Sequence, residues 1–446
     1  MSSQLALFTA SSEADLFHDP NRGGFFSILV QGETRKYQSS HKLSDMHRVL
    51  GLVNPTRDTW ISQAEFMAPN RRVVNLARIG LLFADLDTYR LPWALGRSPE
   101  ALAQSALYLC LEEGVPPPSI LVFSGRGLQA KWLLNRPVPR QALPRWNACQ
   151  RHLIDRLKVI GADVAAKDAS RVLRLVETVN SRSGEICRVV HLESGEDGHP
   201  LRYDFEDLAE ALLPVARITL EEQRKARKLK VLNGGKKSNL RAFSGRQLAW
   251  DRLEDLRRLA VMRGGVKEGE RMTHLFWQIN FMLLSGVTNS FQMFHEARAL
   301  ARQIAPGWVG HRTQELSTLY LKAKQFEAGE RVEFLGKKLP PLYTPRNQTL
   351  IDLFHITDDE QKVMRTLICK DIALSRRRER DRERHMRLDR EAARKRAETR
   401  RRAAGAIDRA TYEANALSNS RPWESKSMSR ASWYRAVKAL EDGGNA

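Results

Sequence analysis

The stretch Ile79–Asp87, IGLLFADLD, is the feature that most constrains this chain. It reads as a buried β-strand whose last residues break the apolar pattern. Side chains alternate along a strand, so Leu81, Phe83, Asp85 and Asp87 share one face, and Leu82, Ala84 and Leu86 share the other. Two carboxylates one pleat apart repel. A cation, a shared proton or solvent must relieve them. An Asp-x-Asp pair is common by chance, so its weight depends on the residues downstream of it.

Two stretches lie downstream at domain-scale spacing. The first, Ser124-Gly125-Arg126-Gly127-Leu128-Gln129, lies at a predicted hairpin turn and runs on to Lys131. Its glycines let backbone amides approach a phosphate, and Arg126 and Lys131 offer charge to it. The competing reading is an ordinary hairpin turn with an exposed arginine. The second runs from Asp168 through Arg171, Arg174, Glu177, Thr178 and Asn180 to Arg182, another carboxylate with three arginines around an apolar strand. Asp168 has a plainer role open to it, pairing with Arg171. Taken together, Asp85, Asp87 and Asp168 with these donors form a coherent metal–nucleotide site. Hard cations such as Mg²⁺ take carboxylate oxygens and substrate phosphates.

The surrounding pattern predicts an α+β region over residues 21–214, after a flexible N-terminus at 1–20. Apolar runs predict strands in GFFSILVQG, DTWISQAEF, PPPSILVF, GLQAKWLL, RVLRL and ICRVVHL. Helices are predicted in SDMHRVLGLV, from Ser98-Pro99-Glu100 to Gly114, over 140–159, and in DFEDLAEALL. Residues 215–345 turn helical, with NGGKKSN as a mobile linker between the first two helices. The Pro-rich run KKLPPLYTPRNQT predicts a hinge to a tail at 346–446.

Charge divides the chain. Residues 1–214 hold 25 Lys/Arg against 24 Asp/Glu, whereas 215–446 hold 48 against 28, so nearly all of the +21 net charge lies in the second half. Such an excess calls for a polyanion, nucleic acid before membrane. Residues 376–402 carry 14 basic and six acidic side chains on a predicted long helix; Arg376, Arg377, Arg378, Arg401 and Arg402 are its candidate DNA contacts. The segment 421–441 has the layout of a helix-turn-helix. Ser429 would cap the second helix, Trp433, Val437 and Leu440 would line its inner face, and Arg430, Arg435 and Lys438 would project towards a major groove. A small helical hairpin docked on another domain is the alternative.

The three motifs in this order resemble the archaeo-eukaryotic-type primase superfamily, and within it the primase-like replication proteins of plasmids and phages. Asp85-Leu86-Asp87 matches the first motif, SGRGLQAKW the Gln form of the second, and Asp168 to Arg182 the third. The match covers about residues 20–195. It departs at Gln129, where many relatives have His, and at Val176-Glu177, where relatives often have a small turn.

The resemblance implies a primase/RRM-like mixed α/β catalytic core, a helical domain after it and a basic helical tail. It implies Mg²⁺ or Mn²⁺ on Asp85, Asp87 and Asp168, with Ser124, Gly125, Arg126, Gln129, Lys131, Arg171, Arg174 and Asn180 around a nucleoside triphosphate. The implied activity is primer synthesis on single-stranded DNA. The rival is a non-catalytic initiator that binds origin duplex DNA through the tail and recruits host enzymes.

Other classes are excluded or unsupported. The four cysteines are scattered with no C-x-x-C pair, which speaks against a zinc site or disulfide framework and for a reducing cytoplasm. No apolar run approaches the roughly 20 residues of a membrane span, and no signal peptide opens the chain. With no phosphate-loop motif, unwinding falls to a separate helicase, and extension to a host polymerase.

Overall fold

The structure, a computed structural model, describes residues 8–195, 198–213, 240–308, 313–334, 336–404 and 421–443. The expected helix at 218–232 and the linker NGGKKSN lie outside the described residues. Tertiary contacts divide the chain into Met1–Ile368 and Cys369–Ala446.

The first unit is built on a mixed sheet. Its strands are β1 (Phe25–Gln31), β2 (Lys36–Lys42), β3 (Thr59–Ser62), β4 (Ala64–Phe66), β5 (Leu76–Leu86), β6 (Ile120–Phe123), β7 (Leu128–Pro139), β8 (Val172–Arg174), β9 (Arg188–Leu192) and β10 (Arg202–Tyr203). The order is β8-β3-β1-β4-β5-β7-β6-β9, with β2 beside β1 and β10 beside β7. Only β10–β7 is parallel. The long β5–β7 pair is the spine, and β5 is buried through Leu82, Phe83 and Ala84, which is why its sequence is apolar on both faces. DTWISQAEF is divided between β3 and β4. β2 was not expected: KYQSSHK is polar and mostly exposed, an edge strand without an apolar face to mark it.

Helices cover the sheet: α1 (Ala10–Ala14), α2 (Met46–Leu50), α3 (Pro99–Glu112), α4 (Leu143–Arg156) and α5 (Phe205–Leu212). α3 starts as its sequence demands, with Pro99 in the first turn and Ser98 Oγ accepting Ala101 N–H at 3.2 Å. The expectation of a flexible stretch at 1–20 needs correction for residues 8–20. Thr9 caps α1, and Glu13, Ala14, Phe17 and His18 are buried against the sheet.

The helical region, α6 (Leu240–Met262), α7 (Arg271–Ser285), α8 (Ser290–Ile304) and α9 (Ser317–Glu327), packs in the same unit. Buried Glu296 of α8 accepts the Val73 and Val74 N–H groups at 3.0 and 2.9 Å, and Arg140 joins Glu254 at 2.5 Å. A small hairpin, β11 (Val332–Phe334) with β12 (Lys337–Leu339), follows α9.

The Pro-rich run expected to be a hinge is docked. Tyr343 lies 5.6 Å from Phe276 by ring centroids and exchanges hydrogen bonds with Asn280. The next helices, α10 (Asn347–Leu353) and α11 (Asp358–Val363), also stay with the first unit. The Asp255 carboxylate, fully buried on α6, accepts four hydrogen bonds from Arg365, Thr366 and Leu367. The division therefore falls at 368, not at 345. The expected capping box at Thr357–Glu360 opens α11.

The second unit holds α12 (Lys370–Ala403), a 34-residue helix with no buried residue, then α13 (Pro422–Ser425) and α14 (Arg430–Gly443).

Candidate active site

Strand β5 has two edges. One pairs with β7 along its length, whereas β4 pairs with the other only as far as Ile79. Beyond that point the free backbone groups need other partners. Trp146 and Gln150 of α4 supply the first: Trp146 Nε1 donates to Leu81 C=O at 2.9 Å, and Gln150 Nε2 donates to Phe83 C=O at 2.6 Å. The loop after α4 supplies the rest. Asp87 N–H donates to Gly161 C=O, and Asp163 N–H donates to Asp85 C=O, both at 2.8 Å. Gly161 has φ of +86°, a conformation that glycine takes without strain, and this turns the loop along the strand end.

That loop brings Asp163 beside Asp85 and Asp87. Asp85 is half-buried, and its pKa is pushed up to about 6: burial leads, the Asp87 and Asp163 charges add, and Arg171 and Arg174 oppose. Asp87 pairs with the exposed Arg90 at 3.1 Å. Asp168 accepts the Ser170 hydroxyl at 2.8 Å and pairs with Arg171 at 3.1 Å, the plainer of its two expected roles. The carboxylate that the fold delivers to Asp85 is thus Asp163. Its sequence signal was the Gly161-Ala162-Asp163 turn at the end of a helix.

The 124–127 turn closes over the end of β5. Ser124 uses its hydroxyl within the turn, donating to Gly127 C=O at 3.1 Å. A Cβ on Gly127 would lie 2.3 Å from Leu86 C=O, so only glycine permits this approach. Gly125 contributes backbone alone. Asn180 is buried beneath it and donates to Ser124 C=O at 2.8 Å, a brace for the turn. Arg126, half-buried, lies 3.9 Å from the Tyr89 ring, which holds its guanidinium beside the aspartates' own turn.

Gln129 stands directly opposite Asp85 in the β5–β7 register. It is 2% exposed, and its Oε1 has no hydrogen-bond partner. A buried, unpaired amide oxygen costs roughly 1–3 kcal/mol. Lys131, two residues on and opposite Phe83, differs. It is fully buried in an ion pair with Glu13 of α1 and sits 4.8 Å from the Phe17 ring. The Lys131 ammonium, expected to meet a triphosphate, is here taken by Glu13 of the N-terminal helix. Glu177, unassigned from sequence, holds the same segment, accepting Ala10 N–H at 2.7 Å.

Arg174 is also engaged. It pairs with Asp58 and lies 4.8 Å from the Trp60 ring. Burial pushes Asp58 up, but hydrogen bonds from Ser181 and Arg174 outweigh it and keep its pKa below the usual value. Arg171 donates to Ala165 C=O besides pairing with Asp168. Both arginines act on Asp85 through their field. At the end of β5, Asp87 keeps its pair with exposed Arg90, Asp163 accepts Ala165 N–H at 2.9 Å, Gln129 Oε1 is buried without a partner, and the Asp85 and Arg126 side chains have no hydrogen bond or ion pair among the described residues.

The donor chemistry, carboxylate oxygens alone, suits a hard divalent cation. Among the described residues no three His, Cys, Asp or Glu side chains are grouped to enclose a metal by themselves. Mg²⁺ is commonly held by one or two carboxylates with water and substrate phosphates completing its shell, and Asp85 with Asp87 fits that pattern.

In the tail, the first arm of the expected helix-turn-helix is one turn, α13, and Ser429 caps α14 through Ser432 N–H at 3.2 Å. Arg430 does not project freely; it packs 5.6 Å from the Trp423 ring. Arg435 and Lys438 are exposed, and Trp433 meets Trp423 at 6.2 Å. The Leu440 side chain lies outside the described residues. On α12, Arg377 and Arg402 form exposed pairs with Asp381 and Glu398, while Arg376, Arg378 and Arg401 lie along the same helix. Among the described residues, no helix is long and apolar enough to cross a membrane.

No family model matches the chain. It is 28% identical over 315 residues to a replication protein of Clostridium perfringens, covering 70% of this chain and 68% of that one. Among solved structures, the AEP domain of the cyanophage S-2L primase-polymerase covers 48% of this chain and 98% of its own, at 16% identity and a TM-score of 0.33. The primase RepB′ covers 68% and 88%, at 15% identity and a TM-score of 0.26. The catalytic domain of RepB′ in complex with initiator DNA covers 48% and 92%, at 13% identity and a TM-score of 0.26. By its motifs the chain resembles the primase-like replication proteins, and by sequence it is similar to a replication protein.

Proposed function

We propose that this chain is a plasmid or phage replication primase-polymerase that makes primers on single-stranded DNA by metal-dependent nucleotidyl transfer. The observation that carries the reading is the meeting of Asp85, Asp87 and Asp163 at the end of β5, where burial and mutual repulsion lift Asp85 to about 6. A fold tolerates such a cluster where a ligand relieves it.

Asp85 and Asp87 would hold Mg²⁺ or Mn²⁺, whose charge would stabilise the attacking 3′-oxygen and the pyrophosphate leaving group. Arg126, steadied on Tyr89, presents its free N–H groups to the triphosphate. The Gln129 amide, which lacks a partner for Oε1, fixes a nucleotide or water donor where relatives use His. Asn180 and Ser124 keep the turn rigid, so Arg126 is oriented before substrate arrives. The 3′-oxygen attacks the α-phosphorus, the bond to pyrophosphate breaks, and the hydroxyl proton passes to solvent. A separate helicase and a host polymerase would act before and after this step, in a cytoplasmic setting.

Labelled nucleotides, single-stranded DNA and either cation provide the test. Wild type should yield primers, and Asp85→Ala/Asp87→Ala should yield none while keeping its melting temperature. A folded, DNA-binding wild type without products on varied templates would sink the reading. It would favour the origin-binding initiator, for which the exposed Arg435 and Lys438 of α14 are the supporting observation.

A further inference from the structure

A cavity of about 1160 Å³ opens between α4, the loop that follows it and the helices α6 to α9. Arg151, Lys167, Arg246, Arg252 and Arg331 line it against two acidic groups, Asp168 and Glu327. Both acids are engaged locally. Glu327 accepts the Ser290 N–H and, at 2.8 Å, the Ser290 hydroxyl, and Asp168 holds Arg171 and Ser170.

Three arginines are therefore gathered without an ion pair among the described residues, Asp155 and Glu327 acting on Arg151 only through their field. Arg151 donates to Gly286 C=O, and Arg252 donates to Asn347 Oδ1 at 2.7 Å, but neither meets a carboxylate among the described residues. Arg246 has neither an ion pair nor a hydrogen bond there. Burial lowers the pKa of all three from the ordinary value, and for Arg151 the Arg246 charge adds to it. Four polar atoms of the walls are also buried without partners: Arg151 Nε, Arg252 Nε, Thr288 Oγ1 and Gln292 Oε1. The two guanidinium Nε–H groups and the Thr288 hydroxyl are unpaired donors beside cations that form no ion pair, a set that suits an anionic ligand, whereas Gln292 Oε1 is an acceptor and needs a donor. Phe291, also in the lining, is 84% exposed, a large ring held in water at the N-terminus of α8.

We infer that this cavity is a groove for single-stranded nucleic acid, with phosphates on Arg151, Arg246 and Arg252 and bases stacked on Phe291. A lone nucleotide fits it less well. The volume exceeds the ~300–1,000 Å³ of ordinary ligand pockets, and an exposed aromatic beside a basic channel is the arrangement that holds a strand. The loop after α4 ties the groove to the strand end. Asp163 meets Asp85, and Lys167 and Asp168 form part of the groove wall, five residues apart and so at most roughly 18 Å along the chain. That the strand is the template rests on the primase reading; that the groove takes a strand does not.

The test uses the full chain and an oligothymidylate carrying 5-iododeoxyuridine, irradiated and mapped by peptide mass spectrometry. A cross-link at Phe291 is expected, absent in Phe291→Ala and several-fold weaker in Arg246→Gln. Arg246 has no partner to orphan, so its variant folds. The log–log salt slope of strand binding should fall by about 0.7 in Arg246→Gln, one phosphate contact of a single strand. Cross-links confined to residues beyond 368 would overturn the proposal. So would loss of the Phe291 cross-link on adding ATP while the tail cross-links persist, which would make the cavity a free-nucleotide site. Asp85→Ala/Asp87→Ala should cross-link like wild type. A groove cross-link without primer synthesis would sink the primase reading alone, and primers without that cross-link would sink the groove alone.

Discussion

Two rungs of the β5–β7 ladder, separated by Ala84–Ala130 and sharing one face, carry polar groups into the protein, and they end differently. At Phe83–Lys131 the lysine is fully buried, yet α1 lays Glu13 against it and the rung is closed. At Asp85–Gln129 the carboxylate is crowded by Asp87 and Asp163, and the amide oxygen has no partner. One rung is closed by an ion pair within the protein; the other carries an unpaired amide oxygen beside a crowded carboxylate. Burial of a charge is therefore poor evidence of function in this fold. A polar group whose needs remain unmet is better evidence.

The sharpest way to break the comparison is Lys131→Met. If the closed rung is structural, the variant strands Glu13 and loses roughly 3–5 kcal/mol of stability, read by urea unfolding, and Lys131→Met/Glu13→Leu recovers most of it. A stable single variant with lost nucleotide affinity would instead return Lys131 to the site.

Acid probes the same closed side. His18 is buried with its pKa lowered to about 4, burial leading and the Lys131 charge adding. The unfolded ring titrates at 6.5, so its contribution is complete above that pH and lost as pH falls towards 4. The loss amounts to about 3 kcal/mol. Asp85, with a raised pKa, shifts stability in the opposite sense, so the informative quantity is the difference between wild type and His18→Gln. The variant should show a flatter acid limb in thermal melts between pH 7 and 4.5.

On the open side, Asp163→Asn should slow primer synthesis by about 10–100-fold, as loss of a neighbour to a metal-held pair does, while Asp168→Asn leaves the rate near wild type. The reverse ranking would restore Asp168 to the chemistry. The smallest effect belongs to Gln129→Leu. Its rate should fall about tenfold, the ~1.4 kcal/mol of one hydrogen bond, with stability unchanged or improved because a buried orphan is removed.

The sequence showed what is local. The apolar run of β5 with its two aspartates, the hairpin into β7, the Ser98 and Thr357 caps and the helices α7 and α8 follow from period and punctuation within a few residues. What was hidden depends on partners distant in the chain. Nothing near Lys131 announces Glu13, 118 residues away, and a short N-terminal stretch of mixed polarity reads as a free tail until it docks. Asp163 and Asp168 are equally good carboxylates in sequence. Only the pairing of the 161–163 loop with the open edge of β5 chooses between them. β2 went unread because an exposed strand lacks the alternation that reveals a half-buried one. The segment 346–368 reads as part of the tail because the groups that dock it, buried Asp255 with Arg252 and Arg263 of α6 and the loop after it, lie about a hundred residues away in the chain.

The proposed primase reading requires a divalent cation at Asp85 and Asp87. The most direct measurement is a Mn²⁺ titration followed by electron paramagnetic resonance, on wild type, Asp85→Ala/Asp87→Ala and Asp168→Ala. The account predicts Mn²⁺ binding by wild type and Asp168→Ala, strengthened by a nucleoside triphosphate and absent from the double variant. Equal binding by all three proteins, or none by a folded wild type with triphosphate present, would contradict it.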